Sequence, residues 1–431
     1  MIVLTIFRLL KKWGLVDELW VLAKRRIVYD VWPAEVKKWR LPFKVRIIHG
    51  AKKEERLYKR ADIRLMNYDG LEWLATKQKR YFREAAKRGK RLMLAVDESS
   101  KLKNTQTVRF RNLKKILPKF RRRYIMTGSP AAKGLMGVFG QIYVLDFGAS
   151  LGNLLTMFRN EYFQPAGFMG HDWQLQKGAK KRMFKKIKKL VIRFGTDQLD
   201  MPPLTMLRRW VRLPKKARHA YDEMEKELII KVRKGEIIAA NAAVASGKCR
   251  QIANGGIFHN EREKGYSWIH DAKCENLVDL LEELNGEPAL VAYEFKHDKE
   301  RLIKYFKKNA PQFKDAPFIG GGTKDREVAK ILRAWDRGDL PLVFGQPQSV
   351  AHGLNLQGKG GIVIFFAMTW SLEDYEQFYQ RVWRQGQKRR VLVYHILAKD
   401  TVDEDMWWAI KHHDKNQRAL LNAMERRHGL R

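Results

Sequence analysis

The stretch L-M-L-A-V-D-E-S-S-K-L-K-N, residues 92 to 104, sets an unbroken apolar run against two adjacent acids. A short continuous apolar run reads as a strand buried on both faces, as in a parallel sheet. Such a strand delivers the next residues of the chain, here Asp97 and Glu98, to its carboxyl end, where open α/β sheets bind ligands. Similar runs recur at 19–23 (L-W-V-L-A), 45–48, 63–66 and 124–126, each succeeded by a helix-like stretch. The rhythm resumes at 289–293 (A-L-V-A-Y), 342–344, 362–366 (I-V-I-F-F) and 391–397 (V-L-V-Y-H-I-L). Strands alternating with helices predict an α/β fold with parallel sheets. Three domains are expected: a first lobe over 1–149, a mainly helical region over 150–285 with a strand-like interruption near Trp210–Leu213, and a second α/β lobe over 286–431.

Composition narrows the partner. The chain carries 86 Lys and Arg against 47 Asp and Glu, a net charge of +39. The excess is patchy, with eleven Lys or Arg and no acid from Ser99 to Leu145, and nine with no acid from Lys177 to Arg193. Positive charge without interleaved acids points to phosphate contacts and a polyanionic partner, most simply nucleic acid. The two cysteines, Cys249 and Cys274, form no zinc cluster or secreted disulfide framework alone, which fits a reducing cytoplasm. No segment reaches the roughly 20 apolar residues that a membrane-crossing helix needs, and no secretory signal opens the chain. A soluble, cytoplasmic protein is expected.

Several segments carry chemistry. Two adjacent acids after a strand can divide labour, one holding Mg²⁺ and one orienting or deprotonating an attacking water. Residues 127–130, T-G-S-P, place Thr127 and Ser129 in a small polar turn after the strand ending at Met126. In S-V-A-H-G-L-N-L-Q, residues 349–357, Gly353 lets the backbone approach a ligand closely. In Q-F-Y-Q-R-V-W-R-Q-G-Q, residues 377–387, Arg381 and Arg384 lie three apart, so on a helix they share one face suited to a phosphate.

Taken together, these segments resemble the Swi/Snf-type branch of the superfamily two helicase-fold ATPases, which are DNA translocases. The resemblance rests on Asp97-Glu98 with Lys103-Asn104 just after them, on Thr127–Pro130, and on Gly353-Leu354-Asn355-Leu356. It rests further on Gln377, Arg381, Arg384, Gly386 and Gln387, with Trp370 ahead of them. The segments V-W-P-A-E-V-K-K-W (31–39) and R-Q-I-A-N-G (250–255) extend it over almost the whole chain. The resemblance implies two RecA-like lobes with ATP between them. Asp97 would hold Mg²⁺ and Glu98 would act on the water. Arg381 and Arg384 would serve as arginine fingers helped by Gln377, and Thr127, Ser129, Gly353 and Gln387 would line the nucleotide site. Double-stranded DNA would be the partner, with Lys24, Arg25, Lys101, Lys103 and Ser349 on its phosphates. If the chain is phage-encoded, the place of action would be a bacterial host's cytoplasm.

One family element is missing. Nowhere in the 431 residues does Gly-Lys precede Ser or Thr, the core of the phosphate-binding loop. The chain opens on M-I-V-L-T-I-F-R-L-L, an amphipathic helix pattern with no capping residue. Three explanations are open: a start codon assigned too late, a split gene whose separately encoded N-terminal fragment carries the loop, or a degenerate DNA binder that does not hydrolyse ATP.

Overall fold

The computed structural model describes the chain except for residues 129–133, 167–171, 193–198, 234–245, 260–264, 351–353, 355, 412–423, 425–426 and 429–431, and the side chains of 172, 232 and 233. It divides into two units, Met1–Phe194 and Gly195–Arg431. In the first, β1 (Glu18–Ala23), β2 (Val45–Ile47), β3 (Ile63–Asn67), β4 (Leu92–Asp97) and β5 (Phe120–Met126) form one sheet. Its order is β2-β3-β1-β4-β5, and every pairing is parallel. β1 and β3 are buried along their whole length and β4 up to Val96, as strands covered on both faces must be. Alternate residues serve opposite layers. Trp20, Leu22, Leu94 and Val96 join one apolar cluster, whereas Leu19, Val21 and Ala95 join another. The second cluster is closed by Val3, Leu4 and Phe7 of the opening helix Ile2–Lys12, which has no side-chain N-cap. An antiparallel pair, β6 (Phe163–Ala166) and β7 (Asp172–Leu175), lies later in this unit.

The second unit contains β8 (Leu204–Val211), the antiparallel pair β9 (Gly256–Phe258) and β10 (Tyr266–Trp268), then β11 (Ala289–Ala292), β12 (Phe318–Ile319), β13 (Leu342–Gly345), β14 (Ile362–Phe365) and β15 (Val391–Ala398). Its sheet runs β12-β13-β11-β14-β15-β8, again parallel throughout. Counted from β11, this repeats the strand order of the first sheet, with β8 added at the edge. The α/β reading with two parallel, RecA-like sheets therefore holds.

The stretch 150–285 holds the helices Leu155–Tyr162, Ala179–Ile187, Lys215–Arg233, Gly247–Asn254 and Ala272–Glu283. Among the described residues it also carries five strands, β6 to β10, and the unit boundary at Phe194 falls within it. The interruption expected near Trp210 is β8, eight residues paired along β15 from Leu204↔Val391 to Val211↔Ala398. The pairing along β15 extends it back to Leu204, where the sequence has no uninterrupted apolar run. After β15 the chain forms a helix, Val402–Lys411. Among the described residues no helix is long and apolar enough to cross a membrane.

A charged group is buried at the start of β1. Glu18 is 1% exposed and Arg64 2%. Arg64 Nε meets Glu18 Oε1 at 2.7 Å, and the indole N–H of Trp20 donates to the same oxygen at 2.9 Å. The other guanidinium nitrogens of Arg64 donate to the carbonyls of Arg56 and Lys59. Removing one member strands the other in the core. Arg64→Ala should therefore lower the unfolding free energy by about 3–5 kcal/mol, and Glu18→Leu with Arg64→Met by much less, in chemical denaturation.

Two histidines of the second unit are held neutral. His395 has Nδ1 on the Leu207 carbonyl at 2.9 Å and Nε2 on the Tyr375 hydroxyl at 2.9 Å. His270 has Nε2 on the Ile252 carbonyl at 2.8 Å, while its Nδ1 accepts the Ala272 N–H at 3.3 Å. One donor and one acceptor suit the neutral ring, and burial pushes both imidazoles down to about 4 from 6.5. The unfolded chain then takes up these protons first. Their contribution to stability is full above about pH 6.5 and is lost as pH falls toward 4. Urea unfolding should show a lower midpoint at about pH 4.5 than at about pH 7.5, and His395→Gln should shrink that difference.

Candidate active site

The acids stand where the sequence places them, at the carboxyl end of the buried strand β4. Asp97 is its last residue and Glu98 the first beyond it. Glu98 adopts a left-handed backbone, φ 61° and ψ 58°, which a residue with a Cβ holds only at a cost of about 1–2 kcal/mol. Its surroundings enforce that conformation. The Tyr68 hydroxyl donates to the Asp97 carbonyl at 2.6 Å, with the Glu98 carbonyl at 3.2 Å. The adjoining 3-10 turn Ser99–Leu102 is pinned by Ser99 Oγ, which donates to Gln141 Oε1 at 2.8 Å. Helix Val138–Asp146 comes so close that a Cβ on Gly140 would collide with the Leu102 carbonyl.

The two carboxylates differ. Ser100 Oγ donates to Glu98 Oε1 at 2.9 Å, and Thr127 Oγ1 reaches the same oxygen at 3.4 Å. The T-G-S-P turn thus meets the acid turn through Thr127, while Ser129 lies outside the described residues. Asp97 receives the indole N–H of Trp32 on Oδ2 at 3.1 Å. Burial pushes the Asp97 carboxyl above its usual range, opposed by the Trp32 hydrogen bond, the Glu98 backbone, the N-terminal amine and Lys24. Among the described residues no three His, Cys, Asp or Glu side chains gather to hold a metal ion. A lone carboxylate beside a phosphate ligand still suits Mg²⁺, which keeps most of its waters and takes one or two carboxylates plus substrate phosphates.

Lys24 and Arg25 come just after β1, and Lys101 and Lys103 just after β4, so all four collect at the same end of two adjacent strands. Arg25 and Lys101 are exposed, whereas Lys24 and Lys103 are half-buried. The Lys24 charge helps to lower the Asp97 carboxyl against the effect of burial.

In the second unit, helix Leu372–Tyr379 comes after β14, the topological counterpart of β4. Ser371 Oγ caps it by accepting the Asp374 N–H at 3.1 Å. Gln377 lies on this helix, with Nε2 3.4 Å from Glu373 Oε1. Arg381 and Arg384 do not share a helix face as expected, because the helix ends at Tyr379. The chain continues in turns that bury Val382 and bring the Trp383 indole onto the Pro202 carbonyl at 2.8 Å. Both arginines nevertheless line one cavity of about 390 Å³ with Leu199, Met201, Gln380 and Trp383. Arg381 is half-buried and donates to the carbonyls of Gln377 at 3.0 Å and Leu354 at 3.3 Å, and Arg384 is exposed. The Leu356 N–H returns to the Arg381 carbonyl at 3.3 Å. The structure thereby joins the 349–357 and 377–387 segments, although Gly353 lies outside the described residues. Ser349 sits on the short helix Pro347–Val350 after β13. Gln387 spends its amide on backbone: Nε2 donates to the carbonyls of Gln357 and Gly360, and Oε1 accepts the Arg389 N–H.

The sequence reading missed Trp32, Tyr68 and Arg250. Arg250 donates to the Met368 carbonyl at 2.9 Å, just ahead of the Gln377 helix, and pairs with Glu294 at 3.3 Å. Trp32 and Arg250 lie in segments already singled out, but nothing local announces partners 65 and 118 residues away. Tyr68→Phe deletes the hydroxyl that holds the Asp97 carbonyl. It should cost about 1–3 kcal/mol of unfolding free energy with little change in fold, measured by denaturation and circular dichroism.

Two families of known proteins cover the chain in succession. The SNF2-related domain family matches residues 1–260, and the helicase conserved C-terminal domain matches residues 272–386. A phage protein designated p41, from Acyrthosiphon pisum secondary endosymbiont phage 1, is 33% identical over 428 residues, spanning 94% of this chain and 88% of its own. The Gallus gallus DNA repair and recombination protein RAD54-like is 22% identical over 416 residues, which span 87% of this chain and 56% of the relative. Among solved structures, the Sulfolobus solfataricus SWI2/SNF2 ATPase core in complex with dsDNA aligns with 98% of this chain and 87% of its own, at 18% identity and a TM-score of 0.40.

Proposed function

We propose DNA-dependent ATP hydrolysis and movement along duplex DNA for this chain, which belongs to the SNF2-related family of helicase-fold ATPase domains. The observation that carries the reading is the acid turn. Two half-buried carboxylates at the carboxyl end of a central strand are held in different environments, one on the Trp32 indole and one in a left-handed turn facing Ser100 and Thr127. Asp97 would hold Mg²⁺, which neutralises phosphate charge when bound. Glu98 would orient the attacking water. Arg381 and Arg384, lining one cavity of the second unit, supply guanidiniums for charge that grows on the transferred phosphoryl group. Gln377 precedes them on the capped helix, and its carbonyl fixes Arg381.

Duplex DNA is the partner that best fits the charge. Helix Val108–Ile116 carries Arg109, Arg111, Lys114 and Lys115 within the acid-free stretch, and Lys101 and Lys103 precede it. The buried thiols Cys249 and Cys274 suit a reducing cytoplasm. A second reading, a DNA-holding protein that does not turn over ATP, is served equally by the net charge of +39.

The 431-residue chain should bind duplex DNA with an affinity that falls steeply with salt. Lys101→Ala combined with Lys103→Ala should reduce the log–log slope by about 2 if both meet phosphates. ATP turnover should be slow, raised by duplex DNA and abolished by Glu98→Gln. Salt-sensitive binding without any Glu98-dependent turnover would move the chain to the second reading. Salt-insensitive binding would remove DNA as partner.

A further inference from the structure

The Asp97 carboxylate is held by two neutral donors. Its Oδ2 takes the Trp32 indole N–H at 3.1 Å, and the Glu98 backbone also hydrogen-bonds it. The indole donor is rigid. Trp32 opens helix Trp32–Lys38 directly before Pro33, is 7% exposed, and packs in the cluster of Leu19, Val21, Val36 and Ala95. It is therefore seated against β1 and β4, the strand that ends in Asp97. The chemistry of the donor matters as much as its place. An indole N–H donates without charge and accepts nothing. A Lys or Arg in its position would neutralise the carboxylate and compete with a cation, whereas Trp32 fixes the carboxylate and leaves its charge available. Orienting partners of this kind commonly set metal affinity, their loss costing about 10–100-fold.

We propose that Trp32 is the positioning residue of the acid turn, fixing the orientation in which the Asp97 carboxylate meets the divalent cation of a nucleotide. The inference rests on the ATPase reading, because that reading gives Asp97 its cation. It assigns a task to the W-P-A-E-V-K-K-W segment that the catalytic residues leave unexplained.

The test uses the full chain titrated with Mn²⁺–ATP, with binding read from solvent-proton relaxation. Trp32→Phe keeps an aromatic body and removes the donor. It should weaken Mn²⁺–ATP binding about tenfold or more, leave metal-free ATP binding unchanged, and fall short of Asp97→Asn. In wild-type chain carrying ¹⁵N-labelled tryptophan, the Trp32 indole resonance should shift in Asp97→Asn and on addition of Mg²⁺–ATP. Wild-type Mn²⁺–ATP affinity in Trp32→Phe, with Asp97→Asn defective, would overturn the inference and leave the ATPase reading standing. Binding indifferent to Asp97→Asn would overturn both. Should Trp32→Phe fail to fold, the wild-type resonance decides alone: a Trp32 indole that ignores Mg²⁺–ATP contradicts a positioning role.

Discussion

Parallel strands buried on both faces can hold polar chemistry only at their ends. Along β1, β3 and β4 the backbone groups are taken up by the ladder and the side chains by two apolar layers. The first place where β4 can present a charge is its last residue, and Asp97 stands there. The other charges near this sheet obey the same constraint. Glu18 and Arg64 are tolerated near the opposite end only because they neutralise each other and find Trp20, Tyr81 and two carbonyls.

The second unit repeats this solution with different chemistry. Its sheet has the same strand order, and the segment after β14, the counterpart of β4, again carries the proposed site residues, here Gln377, Arg381 and Arg384. Both segments are braced from a distance. Tyr68 and Trp32 hold the acid turn, while Arg250 holds the Met368 carbonyl and Tyr375 anchors the capped helix to His395. Charge is thus presented by turns whose backbones are fixed by buried hydrogen bonds, which is how a scaffold pre-orients groups before a ligand arrives.

Strain is stored at the site. Glu98 holds a left-handed backbone where glycine would be easier, and the Tyr68 hydroxyl and the close approach at Gly140 keep it there. A conformation so disfavoured persists where its surroundings over-determine it, commonly at functional turns. The opening helix belongs to the same frame. Without a side-chain cap, it is stabilised by Val3, Leu4 and Phe7 against the sheet.

The apolar runs were legible because burial on both faces writes itself locally as uninterrupted hydrophobicity. The strands of the two sheets other than β8 and β12, and the acids at the end of β4, could be read in that way, and the arginine-bearing segment from its spacing. β8 could be read only in part, near Trp210–Leu213; its full length, which alternates half-buried and exposed positions and is set by lying along β15, could not. Nor could the end of the helix at Tyr379, which is decided by Val382 and Trp383 finding burial and a carbonyl elsewhere. By itself the sequence determined the fold class, the excess of positive charge and which residue types stand at the strand ends. The tertiary structure alone decided which neutral donor grips Asp97, which hydroxyl bends Glu98 and which carbonyls steer Arg381. Those partners are brought together by the order of strands in a sheet, and no local pattern of residues records that order.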